Sequence, residues 1–540
     1  MLFSGATSLV ACAPPAAEVP LSASETPAVA IDLVVPDDDV LALSLPDMAA
    51  AIADGTTTSE ALVTRYLARI EAMDRQGPKL HSMIALNPDA LDQARERDAQ
   101  VAAGATLGPL HGVPIVLKDN IESLDSMATT AGALALADNV TGRDAPLVAG
   151  LREAGAVILG KTNLSQWANF RSYQSSSGWS AVGGQVRNPH VLDRNPCGSS
   201  SGSGAAVAAW LAAGAVGTET NGSIICPSNV QGIVGFKPTV GLVSQKYIIP
   251  ISATQDTAGP MTRTVRGAAL MLGAMDDRDV DYLAQLDAEA LRGRRVGVLR
   301  FALGNNPDVQ ARFEAALDVL RERGAVLVDV ERDEVRPPGY GKASLDVLLY
   351  EFKAGINDYL ADAAEAVTTR DLAALIEFNK ANADSELALF DQSIFDESLE
   401  VGDLTDERYI EALELALKAT REDGMDGIFA THEVDVVVAP SGPLSPPRDP
   451  VNGDVWPDWA GAGWMAAVAG YPHATVPMGT VHGIPVGLSF MGARGDDAGV
   501  LSAAFAYEQA SQLRASPAFL NTVSMRPELR EALERASKGD

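Results

Sequence analysis

From Asn195 to Thr239 the chain reads NPCGSSSGSGAAVAAWLAAGAVGTETNGSIICPSNVQGIVGFKPT, and this stretch limits what the whole chain can fold into. It opens on a Gly/Ser knot, Gly198-Ser199-Ser200-Ser201-Gly202-Ser203-Gly204. An alanine-rich helical run follows. A short strand-like segment then ends in a second turn, Thr220-Asn221-Gly222-Ser223. A flexible linker would set its Gly and Ser in polar spacer. Here they lie between apolar runs and lead straight into a helix, with Ser223 24 positions after Ser199. Glycine allows close backbone approach and left-handed angles. Serine offers a hydroxyl that attacks a carbonyl once a base removes its proton. N–H groups in such turns can face a developing oxyanion. The two turns read as a nucleophilic site carried on a folded scaffold.

The flanking chain alternates strand and helix. Thr57-x-x-Glu60 has capping-box spacing and predicts a helix over 57–74, with Leu62, Tyr66, Ile70 and Met73 on one face. Asn87-Pro88 predicts another helix start, with Asn as the cap. Val113 to Leu117 is a short apolar run that predicts a buried strand, with Pro114 at its start or on an edge. Lys118 stands at its C-terminal end, where ligands bind in open α/β sheets. Segments 295–301, 309–322 and 325–330 predict a βαβ unit, and 345–417 a mostly helical block. With no internal repeat and no clear linker between about 45 and 520, the pattern predicts one large α/β domain over 41–525. Residues 1–40 read as a leader and linker, and 526–540 as a tail.

Composition narrows the function. A formal net charge of −30 repels phosphate backbones and anionic lipid, which argues against nucleic-acid binding. No apolar run is long enough for a transmembrane helix. The six histidines are scattered and the three cysteines have no metal-ligand spacing, so no metal site is expected. Cys197 and Cys226 are expected to be small buried hydrophobes without a catalytic role. Leu9-Val10-Ala11-Cys12 resembles a bacterial lipobox, which predicts export and a lipid anchor on Cys12, although no Lys or Arg precedes the apolar part.

A serine nucleophile needs a base, and the residues leave two open. Gly198-x-Ser200-x-Gly202 has the letters of a nucleophile elbow, with His432, His473 and His482 as possible partners, but Asn195-Pro196-Cys197 is a poor strand. Lys118 is the other. Burial at a strand end favours a neutral amine, which can accept a proton. The bland alternative pairs Lys118 with a carboxylate such as Asp119. Gly155-x-x-x-x-Gly160-Lys161-Thr162 matches a phosphate-binding loop in letters, yet its interior reads as an apolar strand.

Taken together, Gly112-x-Pro114…Lys118-Asp119, Gly198-Ser199-Ser200-Ser201-Gly202, Gly222-Ser223-Ile224 and Gly235-x-Lys237-Pro238-Thr239 resemble the amidase signature family in order and spacing. Gly160-Lys161-Thr162-Asn163-Leu164-Ser165, Gln255-Asp256-Thr257-Ala258-Gly259-Pro260-Met261 and Leu349-Tyr350-Glu351-Phe352 point to its peptide-amidase branch. The resemblance implies a mixed central sheet covered by helices. It implies Ser223 as nucleophile, Ser199 as a bridge following a cis peptide bond, and Lys118 as neutral base. It further implies an oxyanion hole from the N–H groups of Thr220, Asn221, Gly222 and Ser223, with Ser200 supporting the triad. The implied reaction hydrolyses a small peptide amide and needs no cofactor. The alternatives within the family are a hydrolase of fatty or amino-acid amides and the amide-hydrolysing component of a tRNA-dependent amidotransferase; a non-enzymatic anion-binding protein is the least favoured reading. Asn221, Ile225 and the segment Ser228-Asn229-Val230-Gln231 depart from the family pattern.

Overall fold

Short apolar runs bounded by turn residues become the strands of one mixed sheet. The structure is a computed structural model and describes residues 39–537 except 279, 333–335 and 458. The lipobox-like Cys12 and nearly all of the 1–40 segment lie outside the described residues. In chain order the sheet strands are β1 (Met83–Leu86), β2 (Pro114–Lys118), β3 (Val157–Thr162) and β4 (Gly214–Glu219). Then come β5 (Val234–Lys237), β6 (Thr257–Thr262), β7 (Arg295–Leu299) and β8 (Val326–Val330). β9 (Val436–Pro440), β10 (His473–Val481) and β11 (Ile484–Met491) complete it. They lie in the order β1-β3-β2-β4-β6-β5-β10-β11-β9-β7-β8.

Two parallel groups flank an antiparallel middle. β3, β2 and β4 run parallel, with Lys118 level with Thr162 and Leu117 level with Val216. β9, β7 and β8 form the second parallel group, which contains the expected βαβ unit. Every residue of β2, β3 and β4 is buried, as expected of parallel strands covered on both faces. Pro114 is the first residue of β2, where a missing N–H costs the ladder least.

Two helix starts differ from the sequence expectation. The helix Ser59–Arg69 is capped by Thr58, whose hydroxyl accepts from Ala61 N, so the cap falls one residue after Thr57. The expected face is buried: Leu62 and Tyr66 on this helix, and Ile70 and Met73 on the π-helical turn Ile70–Arg75 that continues it. The second helix, Ala90–Ala102, follows Asp89 rather than Asn87. Asn87 still accepts from Asp89 N through Oδ1 at 3.0 Å, while its Nδ2 donates to Ile158 O at 2.8 Å and Asp125 Oδ1 at 3.0 Å. The expected cap bond is present, in a turn that precedes the regular helix.

Helices Tyr340–Ala361, Leu372–Ala381, Ser393–Glu400 and Glu407–Thr420 build the helical block. Val347, Phe352, Ile356, Leu375 and Phe395 centre its apolar core, which meets Trp167, Phe170, Ile249 and Ile251 beside the sheet. The segment expected as a tail carries a helix, Pro527–Ser537. Among the described residues no helix is long and apolar enough to cross a membrane.

Candidate active site

The parallel strands bring the site together. Lys118 ends β2, and the neighbouring β4 ends one residue before the turn Thr220–Ser223. The knot precedes the helix Ser201–Ala208, which packs against β4 and β2. The Gly198–Ser199 peptide bond is cis.

Lys118 is fully buried, and its Nζ has three oxygen partners. Ser199 Oγ lies at 2.7 Å, Thr218 Oγ1 at 2.8 Å and Thr218 O at 3.3 Å. Among the described residues no carboxylate forms an ion pair with Lys118. Asp119, the expected alternative partner, instead accepts from the amide and hydroxyl of Thr130 and is attracted by the buried Lys161. Burial lowers Lys118 from its ordinary 10.5 to about 7, opposed by the more distant charges of Asp256 and Glu219. An amine there is largely neutral above neutral pH.

The remaining predicted residues surround this pair. Ser200 N donates to Ser223 O at 3.2 Å, which ties the knot to the second turn. Ser200 Oγ donates to Thr218 O and accepts from Thr218 N, so it steadies a partner of Lys118. Ser223 is only slightly exposed, while Asn221 projects into solvent. Gly222 takes φ +87°, and a Cβ there would meet nothing, so the turn requires the angle and not the space. The N–H groups of Asn221, Gly222 and Ser223 find no acceptor among the described residues. Such free donors in a turn can receive an oxyanion.

Four contributors were given no role from sequence. Thr218 supplies two oxygens to Lys118, and Asn120 Nδ2 donates to Thr218 Oγ1 at 3.0 Å. Asp256 is partly buried and accepts from Thr220 Oγ1 at 2.5 Å and from the amides of Ile251 and Ser252. Glu219 Oε2 accepts from Ile224 N and Ile225 N, holding the chain immediately after Ser223. For Thr218 and Glu219 the signal was position, because they end the strand that leads into the turn, while Asp256 lay within a quoted motif without an assigned role.

The cysteine expectation needs correction. Cys197 and Cys226 are buried, but they form a disulfide instead of packing as free thiols. The fold carries their Cα atoms to 5.9 Å, a separation that suits the bond. The histidines stand elsewhere: His473 bonds Ser489, His190 the carbonyl of Gln231 and His111 that of Arg97. No histidine bonds a serine of the knot among the described residues. The phosphate-loop match also dissolves, since Lys161 lies inside β3, fully buried and bonded to Ile121 O and Thr129 Oγ1.

Comparison with known proteins gives consistent results. A family model described as Amidase matches residues 61–501. A protein of Arabidopsis thaliana described as a probable amidase is 35% identical over 499 residues, covering 88% of this chain and 91% of its own. The crystal structure of native peptide amidase from Stenotrophomonas maltophilia is similar with a TM-score of 0.83 at 45% identity, covering 88% of this chain and 98% of that one. A glutamyl-tRNA(Gln) amidotransferase component of Halorhodospira halophila is 35% identical over 494 residues, covering 86% of this chain and 96% of its own.

Proposed function

The chain belongs to the amidase signature family, and on that premise we propose that it hydrolyses the C-terminal carboxamide of short peptide amides to free acid and ammonia. The observation that carries this reading is the 2.7 Å contact between the Lys118 amine and the Ser199 hydroxyl at a fully buried position. A neutral amine has two hydrogens and one lone pair. The hydrogens serve the two Thr218 oxygens, and the lone pair accepts from Ser199. Ser199 is then free to accept from Ser223.

As Ser223 attacks the amide carbon, its proton passes to Ser199 while the Ser199 proton passes to Lys118. The oxyanion is received by the N–H groups of the turn Thr220–Ser223. When the C–N bond breaks, the relay runs backwards and protonates the departing ammonia. Water then attacks the acyl-Ser223 ester through the same relay and releases the acid.

Greater similarity to peptide amidase than to the amidotransferase component supports the substrate class. The formal charge of −30 disfavours a role on tRNA. The disulfide supports an oxidising compartment, consistent with export and a lipid anchor at Cys12. Intact-mass analysis of membrane-fraction protein should find a diacylglyceryl Cys12, and a chain retaining Met1 would exclude the anchor. The substrate test measures ammonia released from a dipeptide amide, a free amino-acid amide and a long-chain fatty amide, with cleavage of the internal peptide bond followed in parallel. Fast release from the dipeptide amide alone is expected. Preference for the fatty amide, or cleavage of the internal bond, would reject the assignment.

A further inference from the structure

Ser199 and Ser223 come from two separate turns, and among the described residues one hydrogen bond joins those turns directly, from Ser200 N to Ser223 O. A proton relay through two hydroxyls needs a tighter hold. Two links supply it, and both run from the knot to the helix Ile225–Val230 that follows Ser223. The Cys197–Cys226 disulfide joins the residue two before Ser199 to the residue three after Ser223. Gln231, directly after that helix, donates through Nε2 to Pro196 O and Ser201 O, both at 3.1 Å. These carbonyls stand on either side of Ser199 in the chain. A Cβ on Gly204 would come within 2.5 Å of the Gln231 amide nitrogen, so glycine makes room for it.

The helix at the other end of both links is itself fixed to the sheet. Asn229 Oδ1 accepts from Gly487 N of β11 at 2.6 Å, and Asn188 Nδ2 donates to Val230 O at 2.9 Å. The strands around the links have their own support, β4 from β2 and β6, and β5 from β6 and β10. Ser228 to Gln231 is also the segment that departs from the family pattern. Asn229 and Gln231 therefore have identifiable structural roles at the positions where this chain differs.

We propose that the Cys197–Cys226 disulfide and the Gln231 side-chain amide are positioning groups that hold the Ser199 turn against the Ser223 turn. The proposal rests on the Ser223–Ser199–Lys118 reading above. It separates two roles for the disulfide. A staple of the fold alone would change the unfolding midpoint and leave kcat of the folded protein intact. A brace on the relay lowers kcat well below the melting temperature and leaves KM nearly unchanged. Loosening would also admit water to Lys118 Nζ, relieve its burial and move the acid limb of the kcat/KM profile to higher pH.

The experiment compares wild type, the double variant Cys197→Ala with Cys226→Ala, and Gln231→Met, which keeps the volume but removes the donors. Each is assayed with a dipeptide amide across pH and labelled with a fluorophosphonate. The brace predicts a kcat loss on the order of 10²-fold in the double variant, the scale of a misplacement of about an ångström, with a smaller loss in Gln231→Met. Unchanged kcat and an unmoved acid limb in both folded variants, with wild type labelled at Ser223, would overturn the brace alone. Wild type that does not label at Ser223 would overturn the catalytic reading and the brace with it. If the double variant does not fold, Gln231→Met decides: a loss in kcat with a shifted limb supports the brace, and wild-type kinetics reject it.

Discussion

The catalytic turns and the helical block are both densely buried, but by different means. Around the turns the interior is polar: Lys118, Ser199, Ser200, Thr218, Glu219 and Lys237 are all buried, most of them completely. The block is held by rings and aliphatic chains. Phe395 stacks on Phe352 with centroids 5.1 Å apart, and Trp167 meets Phe395 edge-on at 5.7 Å. A deep ion pair, Arg171 with Glu386 at 3.6 Å, ties it to the segment around Gln166. A buried polar network is satisfied in very few geometries, and each lost partner is costly. An apolar core accepts volume-conserving exchanges of one hydrophobic side chain for another with smaller penalties. The difference places fixed chemistry in the first region and leaves room for varied selectivity in the second.

The strongest way to break that contrast is at Lys118. Lys118→Ala removes the base and should lower kcat on the order of 10⁴-fold or more, because members of a nucleophile relay fail together. His111→Ala should not, since that ring contacts Arg97 and not the site. The wild-type profile adds a sign. Burial holds Lys118 down at about 7, so it accepts a proton above that pH and is already protonated below it. Activity should therefore fall about tenfold per pH unit on the acid side of that value. Steady-state kinetics from mildly acid to mildly alkaline pH would expose the limb, and a flat profile would exclude a titrating Lys118.

The opposite break lies in the block. Phe395→Ala empties a fully buried ring site and should destabilise the protein by about 3–5 kcal/mol. Turnover of the folded molecules on a free amino-acid amide should change little. Urea unfolding together with kcat at low temperature separates the two effects. A large kcat loss without destabilisation would show that the block holds the catalytic turns directly.

Much of the chemistry could be read from the sequence because it is local. An apolar run ending in Lys118, a Gly/Ser knot and a second turn each declare themselves within a few residues. What escaped depends on which strands become neighbours. Thr218 reaches Lys118 only because β4 pairs with β2, across 100 positions of chain. The disulfide escaped because an odd number of cysteines, two of them 29 positions apart, does not announce a pair. Thr57 and Asn87 show how far a local rule reaches. Cap spacing placed both helix starts within three residues, and Asn87 does accept from Asp89 N, but the regular helices begin at Ser59 and Ala90.

The smallest expected effect tests whether the two regions work independently. Glu351, on the helix Tyr340–Ala361, accepts from Ser252 Oγ and from the amide and hydroxyl of Thr254, while its other oxygen accepts from Tyr409 at 2.8 Å. Asp256, in the same loop, accepts from Ser252 N and from Thr220 at the start of the nucleophile turn. A continuous polar path thus runs from the block to the turn. Glu351→Gln keeps the shape but can place an NH₂ group opposite donors that now face a carboxylate. Hydrogen bonds to a charged group contribute about 1.5–3 kcal/mol, and most of that loss should be absorbed where the block meets the loop. The expected result is a several-fold fall in kcat/KM for a tetrapeptide amide and a smaller one for a free amino-acid amide. Equal falls for both would mean that the path acts on the chemistry itself. No change for either would mean that the block and the catalytic turns are mechanically independent.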